Sequence, residues 1–286
     1  FRNPFKLDNE IALITGGGTG IGFGIAKAFV NFGAKVIIVG RRDEPLQKAV
    51  KELGHMADYR VYDVTKYEKS ESLIDSINQQ HGHISILVNN AGMHLKKAAI
   101  DVTEEEFLQV LNVNVLGAFS LSRQVAKQML VSSKGNILFI ASLASLIGIP
   151  SVTAYSAAKS AYLGMVRSLA TEWSPQGIRV NAIAPGALNT NMLQEILDSE
   201  PEKVGEDFYK NALKQKNNGG IPLNKGAELA LFLASSASDG ITGKLISTLW
   251  DKWKDWPEHL EELENSDAYT LRRIAGRDRG FDWGDV

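Results

Sequence analysis

Short apolar runs alternate with longer segments of helical periodicity along most of the chain, and this alternation restricts the fold more than any other feature. Seven such runs predict strands, at residues 11–15, 35–40, 59–63, 84–90, 136–142, 179–185 and 243–248. Their nearly continuous apolar character is typical of parallel strands that are covered on both faces. The pattern therefore predicts a doubly wound α/β protein of the Rossmann type, with a seven-stranded parallel sheet and helices on both faces.

Two of the segments between the strands begin with the pattern of a capping box, in which a threonine and a glutamate three residues apart bond each other's backbone amides. Thr103 and Glu106 form one such pair, and Thr65 and Glu68 form the other. We expect a helix to begin at each of these places.

Composition narrows the classes of function. The chain has 286 residues with 31 basic and 33 acidic side chains, so its charge favours neither a nucleic-acid nor a membrane partner. It contains no cysteine, which excludes disulfides, thiolate metal sites and a cysteine nucleophile. We find no run of 18 apolar residues and no signal peptide, and we expect a soluble cytoplasmic protein.

The five histidines do not have the spacing of metal ligands, and we expect no metal site. His81 and His83 are predicted to be solvated loop residues before the fourth strand. His94 follows the turn after that strand and could line a pocket there.

Glycines cluster directly after the first strand, in the sequence TGGGTGIGFG at residues 15–24. Gly16, Gly20 and Gly22 allow a tight turn and a close approach of the backbone to a ligand. The helix that follows presents free N–H groups and a positive dipole end, which suit a pyrophosphate. A glycine cluster between a strand and a helix predicts a dinucleotide site.

The end of the second strand indicates which dinucleotide is bound. NAD sites usually place an acidic residue there for the ribose hydroxyls, but this chain has Gly40 followed by Arg41 and Arg42. Guanidinium groups favour the 2′-phosphate of NADP. We therefore expect NADP(H) to be preferred, with NAD(H) possible. The alternative is two solvated arginines before a helix capped by Asp43.

Two tyrosines and a lysine share the alanine-rich segment AYSAAKSAYLGM at residues 154–165. Tyr155 and Lys159 are four residues apart, so on a helix they are neighbours on one face. A nearby ammonium group lowers the pKa of a phenol and makes it a better proton carrier. Tyr162 is also within reach of Lys159, and an ordinary amphipathic helix fits the pattern too, so this segment alone does not identify the functional tyrosine.

Taken in order, five motifs resemble those of the short-chain dehydrogenase/reductase family over residues 6 to 250 or so. They are the glycine motif from Thr15 to Gly22, the tetrad Asn89-Asn90-Ala91-Gly92, Asn114 within NVNVLGAF, Ser142 thirteen residues before the Tyr155–Lys159 pair, and Pro185-Gly186 with Thr190 after it. The nearest relatives by motif are the 3-ketoacyl reductases. The resemblance selects Tyr155 and leaves Tyr162 as a packing or lining residue.

The resemblance implies a catalytic set of Asn114, Ser142, Tyr155 and Lys159. Ser142 would hold the substrate oxygen, and Tyr155 would transfer its proton. Lys159 would bind the nicotinamide ribose and, with the nicotinamide charge, lower the pKa of Tyr155 toward neutrality. Asn114 would interrupt its helix and hold a water that links Lys159 to solvent.

The arginines and the resemblance together imply a dinucleotide site that has more residues than the catalytic set. It comprises Thr15, Gly16, Gly18, Thr19, Gly20, Ile21, Gly22, Arg41, Arg42, Asp63, Val64, Asn90, Ala91, Gly92, Tyr155, Lys159, Pro185, Gly186, Leu188 and Thr190.

Two regions depart from the alternating pattern. Residues 189–226 predict a substrate lid with apolar residues Met192, Leu193, Ile196, Leu197, Phe208 and Tyr209, although a packed helical pair fits equally. Residues 251–286 predict an extension to a domain of residues 1–250, with one short helix that has Pro257 in its first turn. We expect either a docked appendage or oligomer clasp, or an arm whose arginines 272, 273, 277 and 279 read a polar or anionic substrate such as a sugar derivative.

The predicted function is an NADP(H)-dependent oxidoreductase that interconverts a carbonyl and a secondary alcohol of a small molecule. A 3-ketoacyl-thioester reductase is one alternative. Such enzymes dock an acidic carrier through basic residues, however, and at the corresponding places this chain has Lys134 alone. A dinucleotide-binding sensor or scaffold without turnover is the other. The resemblance also implies a homotetramer or homodimer formed through the helices at 104–133 and 154–173, with small residues at 154, 157, 158, 161 and 164.

Overall fold

The computed structural model describes residues 4–186, 209, 210, 213 and 223–281. At its centre lies a seven-stranded sheet, and the strands pair in parallel throughout. The strands are β1 (Ile11–Thr15), β2 (Lys35–Gly40), β3 (Ala57–Val61), β4 (Ile86–Asn89), β5 (Gly135–Ile140), β6 (Ile178–Ala184) and β7 (Leu245–Ser247). Their order is β3-β2-β1-β4-β5-β6-β7. The predicted doubly wound fold is confirmed, and the reversal between β1 and β4 opens a crevice at the carboxyl ends of the strands.

Eight α-helices belong to the described residues. They are α1 (Gly20–Asn31), α2 (Asp43–Leu53), α3 (Ser70–His81), α4 (Glu104–Leu111), α5 (Gly117–Ser132), α6 (Thr153–Trp173), α7 (Leu223–Ala234) and α8 (Leu260–Glu264). A π-helical turn, Asn112–Leu116, joins α4 to α5. In this part of the chain no helix combines the length and the apolar character that crossing a bilayer requires.

Alternate residues of the central strands enter two separate cores, because successive side chains of a strand point to opposite faces. On one face Ile14 and Ile38 pack with Phe29 of α1 and Phe232 of α7. On the other face Leu13 and Ile37 belong to the cluster that contains α3, α5 and α6. This burial on both faces explains why the strands are recognisable as continuous apolar runs.

The capping box at Thr103 is confirmed. Its Oγ1 accepts from the Glu106 amide at 3.2 Å, and the Glu106 carboxylate accepts from the Thr103 amide at 3.0 Å. The box predicted at Thr65 is wrong, since the Thr65 hydroxyl instead donates to Asp63 at 2.8 Å. Helix α3 begins at Ser70, after a 3₁₀ turn, Tyr67–Lys69.

Two further local predictions are corrected. Asp43 does not cap α2 but is its first residue, and its carboxylate accepts from the Gln47 amide group at 2.7 Å. His81 is not a solvated loop residue: it lies in the last turn of α3, and its Nε2 is 2.8 Å from a carboxylate oxygen of Asp58. His83 is exposed in the loop before β4.

The described part of the C-terminal segment packs against the same core as α1 and α7. Trp253 and Trp256 are buried there, and the Trp253 ring lies 5.2 Å from that of Phe232. The predicted short helix is present as α8, but it begins at Leu260 and does not include Pro257, which lies inside a 3₁₀ turn, Trp253–Glu258. A 3₁₀ turn has three residues per turn and so places both tryptophans on one side.

Backbone contacts extend this packing along the sheet edge. The buried Lys244 ammonium donates to the carbonyls of Leu263, Ser266 and Ala268 at 2.6, 3.1 and 3.0 Å. The Leu245 amide in β7 donates to the carbonyl of Tyr269 at 2.8 Å. Of the two alternatives expected for this segment, these contacts fit a docked appendage. The division of the chain into a domain and an extension at residue 250 stays a prediction.

The predicted arginine group of this segment is exposed. Arg272 lies 2.6 Å from a carboxylate oxygen of Asp267 and 2.7 Å from one of Asp278. Arg273, Arg277 and Arg279 also lie at the surface.

Candidate active site

The glycine turn lies between β1 and α1 at the carboxyl end of the sheet. Gly16 and Gly20 have φ values of +64° and +57°, which residues with a side chain rarely adopt. A Cβ atom at Gly22 would overlap the Gly16 carbonyl. Among the described residues no side chain caps α1, since Thr19 at the N-cap makes no such hydrogen bond. The helix therefore presents its first N–H groups to the crevice, an arrangement that suits a phosphate.

Thr15 and Asn90 brace this turn against the loop after β4. The Thr15 hydroxyl accepts from the amides of Asn90 and Ala91, each at 2.9 Å. The Asn90 side-chain amide donates to the carbonyls of Thr15 and Gly16 at 2.9 and 3.2 Å. In this structure both side chains fix the shape of the crevice at the carboxyl end of the sheet.

A cleft of about 200 Å³ opens over the glycine turn. Nine of its lining residues are among the predicted dinucleotide ligands: Gly16, Gly18, Thr19, Arg41, Arg42, Asp63, Val64, Ala91 and Gly92. Five other lining residues were not predicted, and they are Gly40, Pro45, Leu46, Tyr62 and Val113. Gly20, Ile21 and Gly22, which were predicted with the first group, form the first turn of α1.

One end of the cleft is basic, and Asp63 contributes the one carboxylate among its described lining residues. Arg41 and Arg42 are exposed there. Burial acts to raise the pKa of Asp63, but hydrogen bonds from the Thr65 amide and hydroxyl, together with the charge of Arg41, outweigh it and hold the pKa below its usual value.

Ser142 and Tyr155 come together beyond the carboxyl end of β5. Ser142 lies two residues after the strand, and its Oγ accepts from the Ala144 amide at 3.2 Å. Tyr155 lies in the first turn of α6, near the Ser142 side chain. Burial raises the pKa of Tyr155 above its ordinary value, and the Ser142 side chain acts in the opposite direction.

Lys159 lies one helical turn after Tyr155 and is only 4% exposed. Its ammonium donates to the Ile140 carbonyl at 2.8 Å and lies 5.7 Å from the centre of the Tyr155 ring. Burial lowers the pKa of Lys159 to about 7. Burial thus has the larger effect on the pKa of Tyr155 in this structure, and the expected lowering by Lys159 together with the nicotinamide charge stays a prediction.

Asn114 lies within the π-helical turn and is fully buried. Its amide nitrogen donates to the carbonyls of Met93 and Val110, each at 2.9 Å, and its oxygen accepts from the Met93 amide at 3.3 Å. A Cβ atom at Gly92 would lie 2.8 Å from the Asn114 oxygen and 3.7 Å from the Lys159 ammonium. Gly92 thus permits the loop after β4 to pass close to both side chains.

The last predicted dinucleotide ligands follow β6. Gly186 has a φ of +77°, and the Pro185 carbonyl accepts from the Thr248 hydroxyl at 2.8 Å. Leu188 and Thr190 lie outside the described residues. So do the predicted lid residues Met192, Leu193, Ile196, Leu197 and Phe208, whereas Tyr209 is described.

His94 contacts the candidate proton carrier directly, which sequence reasoning did not anticipate. Its ring lies edge-on to that of Tyr155, with 4.8 Å between the ring centres. Burial, assisted by the charge of Lys96, lowers the pKa of His94 to about 4, so the imidazole is neutral at physiological pH. The one available signal was the position of His94 two residues after the Asn-Asn-Ala-Gly turn. Within the described residues no three His, Asp or Glu side chains cluster in a way that would hold a metal.

The chain is similar to known proteins in sequence and in structure. The sequence model of one family, described as short chain dehydrogenase, matches residues 10–201. The 2-dehydro-3-deoxy-D-gluconate 5-dehydrogenase of Bacillus subtilis (strain 168) is 38% identical over 256 residues, covering 86% of this chain and 95% of that protein. The 3-oxoacyl-[acyl-carrier-protein] reductase FabG of Chlamydia muridarum is 34% identical, covering 84% of this chain and 96% of that protein.

A solved structure is also similar. The gluconate 5-dehydrogenase of Burkholderia cenocepacia J2315, in complex with NADP and tartrate, superimposes with a TM-score of 0.76 at 30% identity. The match covers 85% of this chain and 95% of that one.

Proposed function

The chain belongs to the short chain dehydrogenase family and is an oxidoreductase that acts on CH–OH and C=O groups, and on this premise we propose that Tyr155 is its general acid and base. The observation that carries the proposal is the position of Tyr155 beside Ser142 and one helical turn before Lys159, whose ammonium lies 5.7 Å from the centre of the Tyr155 ring. A module that only binds a dinucleotide needs no such arrangement.

In carbonyl reduction, the Ser142 hydroxyl holds the substrate oxygen and Tyr155 donates a proton to it. NADPH, when bound, supplies the hydride. Because burial raises the pKa of Tyr155, the phenol is protonated at neutral pH and ready to act as the acid. Alcohol oxidation needs the phenolate, so the oxidation rate rises with pH, whereas reduction proceeds at neutral pH.

Lys159 and Asn114 support this proton transfer. The Lys159 ammonium binds the nicotinamide ribose and, in its charged form, stabilises the phenolate of Tyr155. Asn114 holds the backbone of Met93 beside the lysine through its amide group. Its role as the holder of a water that links Lys159 to solvent remains part of the proposal.

The glycine turn and the basic end of the cleft fit NADP. The pyrophosphate is bound at the uncapped start of α1, and Arg41 and Arg42 bind the 2′-phosphate. Asp63 and Val64 contact the adenine, and the loop after β4 together with Pro185 and Gly186 contacts the nicotinamide half. The absence of an acidic residue at Gly40 supports a preference for NADP(H) over NAD(H).

We take the substrate to be a small hydroxylated carboxylate rather than a carrier-bound thioester. His94, a neutral imidazole in contact with Tyr155, can hydrogen-bond a substrate hydroxyl, and the nearby Lys96 favours an anion. The names of two similar proteins, which refer to gluconate derivatives, support this class. Lys134, the basic residue where a carrier would dock, is paired with Glu10.

A panel of substrates tests the proposal through the absorbance of the reduced nicotinamide. Keto sugar acids, neutral ketones and 3-ketoacyl thioesters are each supplied with NADPH and with NADH at fixed salt. We expect the highest kcat/KM for keto sugar acids with NADPH. Arg41→Ala and Arg42→Ala should weaken NADPH binding but not NADH binding, whereas Lys48→Ala, an exposed lysine of α2, serves as the control. A higher kcat/KM for thioesters would support the reductase relatives instead, and no turnover with any substrate would contradict the proposal.

A further inference from the structure

The Lys159 ammonium lies over the ring of a second tyrosine, and this contact is closer than the one with Tyr155. Its Nζ is 4.4 Å from the centre of the Tyr162 ring and 5.7 Å from that of Tyr155. A cation within about 6 Å of a ring centre is attracted by the negative face of the ring. Tyr162 therefore interacts with the lysine that the proposed mechanism requires.

The hydroxyl of Tyr162 does not explain why this residue is there. Tyr162 is fully buried, and its hydroxyl makes no hydrogen bond within the described chain. Burial, together with the nearby Tyr155, raises the pKa of Tyr162 well above the ordinary value for a phenol, so this residue is neutral and exchanges no proton near pH 7. Its ring is held edge-on by Phe139, with 5.1 Å between ring centres. The feature available to Lys159 is thus the ring face, in a fixed orientation.

The other groups around Lys159 do not supply an opposite charge. From β5 the Ile140 carbonyl accepts its hydrogen bond. In the loop after β4, a Cβ atom at Gly92 would lie 3.7 Å from the Lys159 ammonium and 2.8 Å from the oxygen of the neutral Asn114 side chain. Tyr155 shares the helix, and His94 behind Tyr155 is neutral. In the described ranges Lys159 forms no ion pair, and burial is the cause of its lowered pKa.

We propose that Tyr162 is a positioning residue for the reaction, and that its ring face holds the Lys159 ammonium charged and in place beside Tyr155. The proposal rests on the function assigned above to Lys159 and adds a residue that acts through it. Without the ring face, the same burial would favour neutral lysine, which neither binds the ribose hydroxyls as a cation nor stabilises a phenolate.

The matched test replaces Tyr162 by phenylalanine and by pentafluorophenylalanine, which have nearly the same shape but opposite charge on the ring face. Tyr162→Phe should keep the wild-type pH dependence. The fluorinated variant should lower the pKa of Lys159 by about 1 unit, the effect of a desolvated cation–π contact. If the pKa falls from about 7 to about 6, the charged fraction at pH 7, and with it kcat/KM, decreases about fivefold.

Two readouts separate this proposal from the proposed function. The first is the pH dependence of the unfolding free energy of the free protein. Each variant is compared with its own Lys159→Met derivative, and the difference isolates the titration of Lys159 without any turnover. The second is the alkaline limb of kcat/KM for carbonyl reduction. Phe139→Leu, which removes the ring packed edge-on against Tyr162, controls for general loosening of the core.

A lower Lys159 pKa in the fluorinated variant, with Phe139→Leu unchanged, supports the proposal. Equal pKa values in the phenylalanine and pentafluorophenylalanine variants would overturn it, and so would an equal shift in Phe139→Leu. Failure of the proposed function appears elsewhere, as turnover that survives Tyr155→Phe.

Discussion

At the scale of single residues, the candidate site is built around a buried charge. Lys159 is nearly inaccessible, and among the residues that the structure describes it has one hydrogen bond, to the Ile140 carbonyl, apart from its contacts with two rings. Burying an ammonium without an ion-pair partner destabilises the folded state, and active sites commonly contain such strain. This residue should therefore favour function at the expense of stability.

Lys159→Met should stabilise the free protein by about 1–4 kcal/mol at pH 6 while it abolishes turnover. The unfolded chain keeps a lysine pKa of 10.5, whereas the folded pKa is about 7, so the destabilising effect is fully present below pH 7. Between pH 7 and 10.5 the unfolded wild type binds more protons than the folded wild type, so its stability rises with pH. The stability difference between the wild type and Lys159→Met therefore disappears by about pH 10.5. Urea unfolding at several pH values measures this, and a less stable variant at pH 6 would contradict the account.

The spacing of the catalytic residues is readable from sequence, but their environments are not. Four residues on a helix place Tyr155 and Lys159 on one face whatever surrounds them. The contact of His94 with Tyr155, the brace from Thr15 to Asn90 and the direction of the Tyr155 pKa depend on elements distant in sequence. Such contacts form only when the loop after β4 and helix α6 pack together.

At the scale of elements, the C-terminal segment depends on its tryptophans. Trp256 is buried in the core shared by α1 and α7, and its ring lies 4.4 Å from that of Tyr269. Truncation at residue 252 would thus expose core surface, and it cannot by itself report on substrate binding.

Trp256→Ala should lower the free energy of unfolding by about 3–5 kcal/mol, because it removes a large buried side chain. Trp250→Ala is the matched control, since Trp250 is 65% exposed and its replacement should change stability by less than about 0.5 kcal/mol. Thermal and urea unfolding compare the two variants. If Trp256→Ala lowered the free energy of unfolding as little as Trp250→Ala does, the segment would not contribute to the core.

The sheet was predictable because its strands are buried on both faces, but helix ends were less so. The capping box at Thr103 involves groups that are close in sequence, and it forms as expected. At Thr65 the carboxylate of Asp63 competes for the same hydroxyl. The tryptophans at 253 and 256 fit the spacing of an α-helix as well as that of a 3₁₀ turn, and tertiary packing decides between them.

At the scale of the whole molecule, association through α4, α5 and α6 remains a proposal. Two of the small residues of α6, Ala154 and Ala158, are buried against Val110 of α4 within one chain. Ala157 and Gly164 are exposed, and a Cβ atom at Gly164 would meet nothing within 4 Å. This exposed stripe could let the same helix of a second copy approach closely.

If copies of the chain associate through this stripe, Gly164→Leu should give smaller species without loss of helix content, because the added side chain has room within one chain but not between two packed helices. Light scattering after size-exclusion chromatography, together with circular dichroism, measures both properties. Gly164→Ala is the control, which should keep the assembly and gain about 0.5–1 kcal/mol of helix stability. An unchanged mass for Gly164→Leu would place the interface elsewhere.

The most direct test of the central claim is the effect of Tyr155→Phe on turnover and on NADPH affinity, measured on the same preparation. If Tyr155 is the proton carrier, kcat falls by about 10²–10⁴-fold while the Kd for NADPH stays within a factor of about two, since the ring and the Lys159 contact remain. If the variant retains most of its turnover, the proton is carried by another group and the account is wrong.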